Sequence, residues 1–312
     1  MPQGLQINIT YTSSVDHAPA GFKTAVDAAV QFLENHFSDP ITVNIKVAYK
    51  SIGGLGQSSY SLNSYTYSQI VNALNADATT ADDSTAVANL PVSDPIGGAH
   101  TYYMTTAEAK ALGLLGASNA LDGTVTFDNT ANLFDYDKSD GITAGEYDFF
   151  GTVVHELTEV MGRELMTGKG NHAQSVPNNG YAPLDLFHYS APGVRSFIGS
   201  DRGYFSIDGG DTNLDNFNTN RNGDWGDWAH SAGKDAFRAF SNSGVVNRVS
   251  QTDLKEMDTL GYDRLGVAVA SGHDGSHQPH LVVDAHGAAG YHVGEHMVVP
   301  LDGFAAVNGD FV

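Results

Sequence analysis

The stretch at residues 153–163 constrains this chain more than any other part of its sequence. It reads Val-Val-His-Glu-Leu-Thr-Glu-Val-Met-Gly-Arg, and its apolar pattern ending at a glycine predicts a buried helix over about residues 147–161. Residues four apart lie on one face of a helix, so His155 and Glu159 can reach one metal ion. Glu156 follows the histidine directly, where a carboxylate can act as a base on a metal-activated water.

The pair His155 and Glu159 also has a plainer interpretation. A polar pair four residues apart contributes roughly 0.2–0.5 kcal/mol on an ordinary solvated helix. Here the preceding residues 149–154 are Phe-Phe-Gly-Thr-Val-Val, which predicts burial. A buried charged pair is costly unless it has a strong partner such as a metal ion, so we expect the two side chains to be metal ligands.

Composition excludes several classes of function. The net charge of -21 argues against nucleic acid and anionic membranes as partners. No apolar run is long enough to span a membrane. The chain has no cysteine, which excludes disulfides and thiolate chemistry. Neither a Gly-x-Ser-x-Gly turn nor a phosphate-binding loop is present, so a metal-dependent reaction is the leading interpretation.

Sequence features at the two ends bear on localisation. Residues 1–11 have no basic region followed by an apolar segment, so we expect no cleaved N-terminal signal peptide. An acidic, cysteine-free and glycine-rich chain resembles proteins that ABC-type exporters secrete through an uncleaved C-terminal signal, and residues 309–312 read Gly-Asp-Phe-Val. We therefore expect a secreted protein that uses such an exporter. A cytoplasmic protein is the alternative, which the lack of cysteine also fits.

Hydrophobic periodicity predicts an ordered first half. Alternation predicts strands at residues 5–11 and 41–49, with an amphipathic helix at 18–37 between them, and this order favours a parallel strand pair. Further strands are predicted at 100–104 and 123–128, and further helices at 67–76 and 107–112, the latter capped by Thr105. The Gly- and Ser-rich residues 51–64 are predicted to be a loop, and residues 78–95 a surface connection.

The second half is predicted to be dominated by loops. Residues 164–250 are dense in Gly, Asn, Asp, Ser and Pro, and one helix is predicted at 253–260, capped by Ser250 or Thr252 and closed by Gly261. Two domains are therefore expected: a catalytic domain at 1–264, made of 1–163 and a loop-rich subdomain at 164–264, and a Gly- and His-rich tail at 265–312.

The active-site helix and the order of elements resemble the metzincin group of zinc peptidases. Those proteins have His-Glu-x-x-His-x-x-Gly-x-x-His or Asp, and His155, Glu156 and Gly162 match this pattern. Glu159 replaces the second histidine and Leu165 stands at the third ligand position. The resemblance implies an α+β, zincin-like fold, with a mixed twisted sheet, an active-site helix and a loop-rich C-terminal subdomain.

A second resemblance extends over more of the chain. Residues 155–163, 184–187 and 206–210 read His-Glu-Leu-Thr-Glu-Val-Met-Gly-Arg, Leu-Asp-Leu-Phe and Ser-Ile-Asp-Gly-Gly. They are similar to segments of a bacterial group described as secreted metalloproteases. Together the two resemblances cover roughly residues 5–264 and leave out the tail.

The third metal ligand is expected to come from the loop-rich half. Asp185 is the first choice because it is a lone acid among apolar residues, and the alternatives are His188, His172 and His230. Alternatively, Asp185 forms an ion pair with Arg163 or Arg195 and binds no metal. A carboxylate is an acceptable zinc ligand, although carboxylate-rich sites also suit other metals.

A calcium loop is expected just before the active-site helix. Residues 135–146 place Asp135, Asp137, Ser139 and Glu146 at positions 1, 3, 5 and 12, where a calcium loop has oxygen ligands. The alternative is a solvated acidic turn whose negative charge favours the helix N-terminus.

These features predict a secreted zinc-dependent endopeptidase that acts on protein or peptide substrates. Glu156 is expected to be the general base, with Zn²⁺ as cofactor and Ca²⁺ as a second cation. The alternative is a zincin-like binding or surface protein without catalysis. Metal content distinguishes the two.

Overall fold

The structure, a computed structural model, describes residues 4–167 and 179–265 in full, together with the backbone of three strands between 268 and 300. The chain divides into two compact units, Met1–Arg264 and Leu265–Val312. Helices and strands are mixed in the first unit, which confirms an α+β protein. None of the described helices is both long and apolar enough to cross a membrane.

The helices and strands are numbered in chain order. The α-helices of the described residues are α1 (Phe22–Glu34), α2 (Tyr67–Asp77), α3 (Ala81–Ala88), α4 (Thr106–Ala111), α5 (Phe149–Val160) and α6 (Gln251–Thr259). The strands of the first unit are β1 (Gln6–Tyr11), β2 (Thr42–Tyr49), β3 (Gly56–Tyr60), β4 (Leu62–Tyr65), β5 (Thr101–Thr105), β6 (Gly123–Phe127), β7 (Phe134–Asp135), β8 (Tyr147–Asp148), β9 (Gly180–Tyr181), β10 (His188–Ala191), β11 (Val194–Arg195), β12 (Tyr204–Phe205) and β13 (Asp215–Asn216). Those of the second unit are β14 (Ala268–His273), β15 (Pro279–Asp284) and β16 (Met297–Pro300), which pair as an antiparallel sheet.

A four-stranded sheet forms the base of the first unit. Its order is β1-β2-β6-β3. Strands β1, β2 and β6 run parallel and β3 runs antiparallel to β6 at the edge. The parallel pair predicted from the strand–helix–strand order is confirmed, and the sheet is mixed.

An aromatic cluster fixes helix α5 against this sheet. Phe22 of α1, Phe127 of β6 and Phe149 of α5 have ring centroids 4.9–5.9 Å apart. All three side chains are fully buried, so each contributes about 1.5–3 kcal/mol of hydrophobic stabilisation. Helix α5 thereby lies against α1 and the β3 edge of the sheet.

Two predictions for the first half were wrong. Residues 51–64 contain β3 and most of β4, because pairing with β6 and β5 outweighs the low strand propensity of a Gly- and Ser-rich segment. Residues 78–95 contain α3, which begins with a capping box between Thr80 and Asp83. The loop-rich half has instead a small sheet of order β11-β10-β12-β13.

Candidate metal centre

A single carboxylate anchors the start of α5. Asp148 is the N-cap residue and accepts a hydrogen bond from the Gly151 N–H at 3.2 Å. Its second oxygen accepts from the Asn247 N–H at 2.9 Å. The cap therefore satisfies a free amide of the first turn and also fixes the chain near residue 247 against the helix.

The glycine predicted to end α5 does so with a Schellman motif. Gly162 has a φ of +114°, in the left-handed region. The Gly162 N–H donates to the Glu159 carbonyl at 3.0 Å, and the Arg163 N–H donates to the Thr158 carbonyl at 3.1 Å. This turn directs the Arg163 side chain back along the helix, where its Nε donates to Thr158 Oγ1 at 3.1 Å.

The edge strand β3 supplies the surface on which the α5 carboxylates lie. Gly56 and Ser58 are two apart, so both face the same side of the sheet. Ser58 Oγ donates to Glu159 Oε2 at 2.7 Å. At Gly56, a Cβ atom would lie 2.2 Å from Glu156 Oε1, so the absence of a side chain makes room for this carboxylate.

A loop of the second half brings an aspartate to the same place. At Gly226, a Cβ atom would lie 2.9 Å from the Leu165 nitrogen, so only a glycine allows this close approach to the end of α5. The next residue, Asp227, thereby lies 2.8 Å from Arg163 Nη1. Trp228 Nε1 donates to Asp253 Oδ1 of α6 at 2.7 Å, which holds the loop from the other side.

These side chains meet around the imidazole of His155. Its Nδ1 donates to the Ala236 carbonyl at 2.8 Å. Its Nε2 lies 3.2 Å from Glu159 Oε1 and 3.3 Å from Asp227 Oδ1. With the Nδ1 proton committed to a carbonyl, the Nε2 lone pair would face two carboxylate oxygens unless a proton or a metal ion lies between them. We name His155, Glu156, Glu159, Arg163 and Asp227 the α5 cluster.

The two glutamates of the α5 cluster have opposite electrostatic environments. Burial raises the pKa of Glu156 well above its usual value, and the charge of Glu159 adds to this. Burial also acts to raise the pKa of Glu159, but the hydrogen bond and charge of His155 and the charge of Arg163 lower it overall. Glu159 is therefore the permanent anion and Glu156 the group that can exchange a proton.

The same carboxylates shift the pKa values of His155 and Arg163, the two positive groups of the cluster. Burial opposes the charge of His155, but Asp227 and Glu159 raise its pKa to about 10. Arg163 is buried with its Nη2 3.6 Å from Glu159 Oε1, and its pKa is raised although burial acts against it. Both shifts show that the carboxylates attract a cation strongly.

The cluster can hold a metal ion. In residues 4–167 and 179–265, two groups bring three ligand atoms within 4.8 Å of one another: His155, Glu156 and Glu159, and Glu159, Asp224 and Asp227. Glu156 Oε2 is buried and has no hydrogen-bond partner among the described residues. Imidazole nitrogen and carboxylate oxygen suit zinc and other divalent transition metals. A cleft of about 440 Å³ is lined by His155 and Glu156, among other residues.

The predicted third ligands that the structure describes, Asp185, His188 and His230, are not among these converging groups. Asp185 is buried and accepts three hydrogen bonds, from the N–H groups of Met166, Thr167 and Ala182 at 2.7–3.0 Å. It therefore holds a turn together, and neither Arg163 nor Arg195 forms an ion pair with it in the described part of the chain. His188 is buried against the Phe217 ring. His230 is exposed, and His172 lies outside the described residues, as do residues 309–312.

The predicted calcium loop uses its acids for local turns. Asp135 accepts hydrogen bonds from the Asp137 N–H at 2.9 Å and from the Thr143 N–H at 2.8 Å. Asp137 accepts from the Ser139 N–H at 3.0 Å. Asp135, Asp137 and Glu146 are not among the groups of converging ligand atoms in the described residues. Calcium binding at this loop stays a prediction.

Asp227 and Asp224 are the site residues that sequence reasoning missed. They belong to two consecutive Gly-Asp-Trp triplets at 223–228, which contain both tryptophans of the chain. This local repeat was the signal that the sequence offered. Comparison with known protein families, curated proteins and solved structures finds no match to this chain.

Proposed function

We propose that the protein is a zincin-type metallopeptidase, a metal-dependent endopeptidase in which His155, Glu159 and Asp227 hold a zinc ion. The observation that carries this proposal is the position of His155 Nε2 between two carboxylate oxygens at 3.2 and 3.3 Å. Such an arrangement is stable only around a proton or a cation. The third ligand is then Asp227, in place of the residue that a metzincin has at position 165.

Glu156 has the position and the environment of a general acid–base group. A bound zinc ion would polarise the substrate carbonyl and lower the pKa of water, as in other zinc hydrolases. Glu156 lies in the cleft beside His155 with an oxygen that lacks a protein partner in the described residues. Its raised pKa suits a carboxylate that accepts a proton from water and returns it to the leaving amine.

The cleft suits an extended peptide. Strand β3 ends the four-stranded sheet, with β6 as its neighbour on one side. The segment Gly53–Gly56 before and within this strand lines the cleft. A substrate in β conformation can pair with such a strand edge through its main chain, which gives affinity for peptides of varied sequence.

Metal analysis combined with one substitution tests the proposal. Protein purified without chelators should contain close to one equivalent of zinc, and Glu156→Gln should abolish clearing of casein or gelatin while the zinc remains bound. Glu34→Gln is the matched control, because Glu34 accepts the Ile7 N–H at 2.8 Å far from the cleft and a glutamine can do the same. Absence of zinc, or clearing by the Glu156 variant, would contradict the proposal.

A non-catalytic binding protein is the second candidate, and Arg163 favours it. Its guanidinium already lies 2.8 Å from Asp227 and 3.6 Å from Glu159. If Arg163 and a protonated His155 supply all the positive charge that these carboxylates need, the cluster is a metal-free polar network. The same metal analysis decides between the two.

A further inference from the structure

One wall of the cleft is formed by residues 236–240, beside the α5 cluster. The Phe237 carbonyl accepts from the Trp228 N–H at 2.9 Å, and the Ala239 N–H donates to the Trp228 carbonyl at 3.1 Å. An isolated bridge, and not a continuous strand, holds this turn-rich segment to residue 228. Arg238 and Phe240 line the cleft, while Phe237 is buried with its ring 4.3 Å from the Arg163 guanidinium.

Arg238 is a buried cation that has no carboxylate partner among the described residues. It is 7% exposed. Its Nη1 donates to the Gly233 carbonyl and its Nη2 to Asn242 Oδ1. Its Nε has no hydrogen-bond partner among the described residues. In a chain of net charge -21, a guanidinium left without an acid is unexpected, because burying an unpaired charge is costly.

The surroundings of Arg238 make it distinct within the cleft. Among the described lining residues it is the only Lys or Arg, whereas Glu156, Asp224 and Asp227 supply carboxylates to the same cleft. Burial lowers the pKa of Arg238, which is the response of a cation whose desolvation no carboxylate compensates. A ligand carboxylate would supply the missing partner.

We propose that Arg238 binds a carboxylate of the substrate, so that the protein selects acidic peptides. This inference rests on the proposed peptidase function and names its substrate class. The planar guanidinium is suited to carboxylates, and charge-assisted hydrogen bonds of this kind are stronger than neutral ones. The Phe240 side chain, 42% exposed in the same wall, offers apolar contact to the neighbouring part of the peptide. The carboxylate can come from an Asp or Glu side chain or from the C-terminus of the peptide.

Binding of three peptides to the full-length Glu156→Gln protein tests this proposal without any need for turnover. The first peptide contains glutamate and ends in an amide, the second contains glutamine and ends in a free carboxylate, and the third contains glutamine and ends in an amide. We expect the first or the second to bind about tenfold more tightly than the third in fluorescence anisotropy. Whichever of the two is preferred identifies the source of the carboxylate.

Substitution of Arg238 assigns the preference to this residue. Arg238→Gln should remove the preference for the carboxylate peptide and leave binding of the neutral peptide nearly unchanged. Arg202→Gln is the matched control, because it removes the same charge from an exposed residue that does not line the cleft. If Arg238→Gln fails to fold by circular dichroism, Arg238→Lys replaces it, and the preference should then fall at least about threefold because the planar fork is lost.

The outcomes separate this proposal from the proposed function. Equal binding of the three peptides overturns it, and so does a preference that survives substitution of Arg238 unchanged. A preference that depends on Arg238 in a protein that neither holds zinc nor clears casein would support the carboxylate site while contradicting the peptidase. Zinc-dependent clearing of casein by a protein that binds the three peptides equally would support the peptidase and contradict the carboxylate site.

Discussion

The α5 cluster and the segment Asp185–His188 both contain buried residues of types that bind metals. In the α5 cluster, His155 Nε2 and two carboxylates face one another beside a cleft. In the other segment, the Asp185 oxygens are occupied by three main-chain N–H groups. Neither ring nitrogen of His188 has a partner among the described residues, but the ring lies against Phe217 and not against an acid.

The α5 cluster is therefore a candidate binding site, whereas Asp185 stabilises a turn of the main chain. Burial and residue type are shared, so they do not decide between the two. What decides is the identity of the atoms around each polar group: main-chain donors satisfy a carboxylate completely, whereas a second carboxylate leaves both in need of a cation. A lone acid among apolar residues is thus explained in full by the turn it holds together.

The largest expected effect is a difference in zinc affinity between substitutions of the two buried aspartates, Asp227 and Asp185. Asp227→Asn removes a carboxylate next to His155 and should weaken zinc binding by about 100-fold or more, beyond what loss of an outer-shell partner costs. Asp185→Asn makes the same chemical change away from the cluster and should leave zinc affinity unchanged. Competition with a chromophoric zinc chelator measures both. Loss of zinc from Asp185→Asn together with its retention by Asp227→Asn would contradict the roles assigned to the two aspartates.

A glycine in the edge strand provides the next test. Gly56→Ala would place a methyl group 2.2 Å from the present position of Glu156 Oε1. The flexible glutamate must then move, and a displacement of about 1 Å at the reacting group can reduce the rate about 100-fold. Casein hydrolysis by protein with its full zinc content is the measurement.

Gly54→Ala is the control for this substitution. It lies two residues earlier in the same segment, and its Cβ would come no closer than 3.7 Å to another atom, the Gly56 carbonyl oxygen. Its loss of activity should therefore be much smaller. Equal losses in the two variants would show that the cleft wall, and not the position of Glu156, controls the rate.

The sequence predicted the parts of the site that depend on local pattern. Helix α5, its end at Gly162 and the shared face of His155 and Glu159 follow from periodicity within a few turns. Strand β3 was missed because its partner β6 lies more than sixty residues away in the chain, and pairing overrides the composition of a Gly- and Ser-rich segment.

Asp227 could not be found in the same way. Asp227 and His155 are in contact but lie 72 residues apart in the chain. The segment that contains Asp227 shows no helical or strand periodicity. The approach depends on one glycine, Gly226, which fits closely against the end of α5. Long-range contacts of this kind leave no periodic signal, so a choice among loop acids based on local apolarity led to Asp185.

A stability measurement tests the structural role of Asp185. Asp185→Asn replaces an acceptor by an amide that would direct N–H groups at main-chain N–H groups, so the unfolding free energy should fall by about 1–3 kcal/mol. Burial raises the pKa of Asp185 to about 7, although its three N–H donors oppose this. Its contribution is then full below the unfolded value of about 4 and is lost as the pH rises through about 7.

The cost of Asp185→Asn should therefore be larger at about pH 5 than at about pH 8. Urea unfolding at both values measures it. A cost that is the same at both values, or that grows with pH, would contradict the burial-dominated environment of this carboxyl. Zinc content should stay constant throughout, which links this test to the first.

The smallest expected effect concerns His188. Because its ring nitrogens have no partners within the described residues, His188→Leu removes no hydrogen bond and should change the unfolding free energy by less than about 1 kcal/mol near neutral pH, or raise it. Burial lowers the pKa of His188 to about 4, below the unfolded value of about 6.5. A lowered value means that the unfolded chain binds the proton more tightly, so stability is full above about pH 6.5 and is lost as the pH falls through about 4.

His188→Leu should consequently lose less stability than the wild-type protein between about pH 7 and about pH 4. The exposed His230 provides the control, since His230→Leu should leave the slope of stability against pH unchanged. Thermal unfolding at several pH values shows the difference. If both variants follow the wild-type curve, the pKa of His188 is the same in the folded and the unfolded protein, which would contradict the lowering of this pKa by burial.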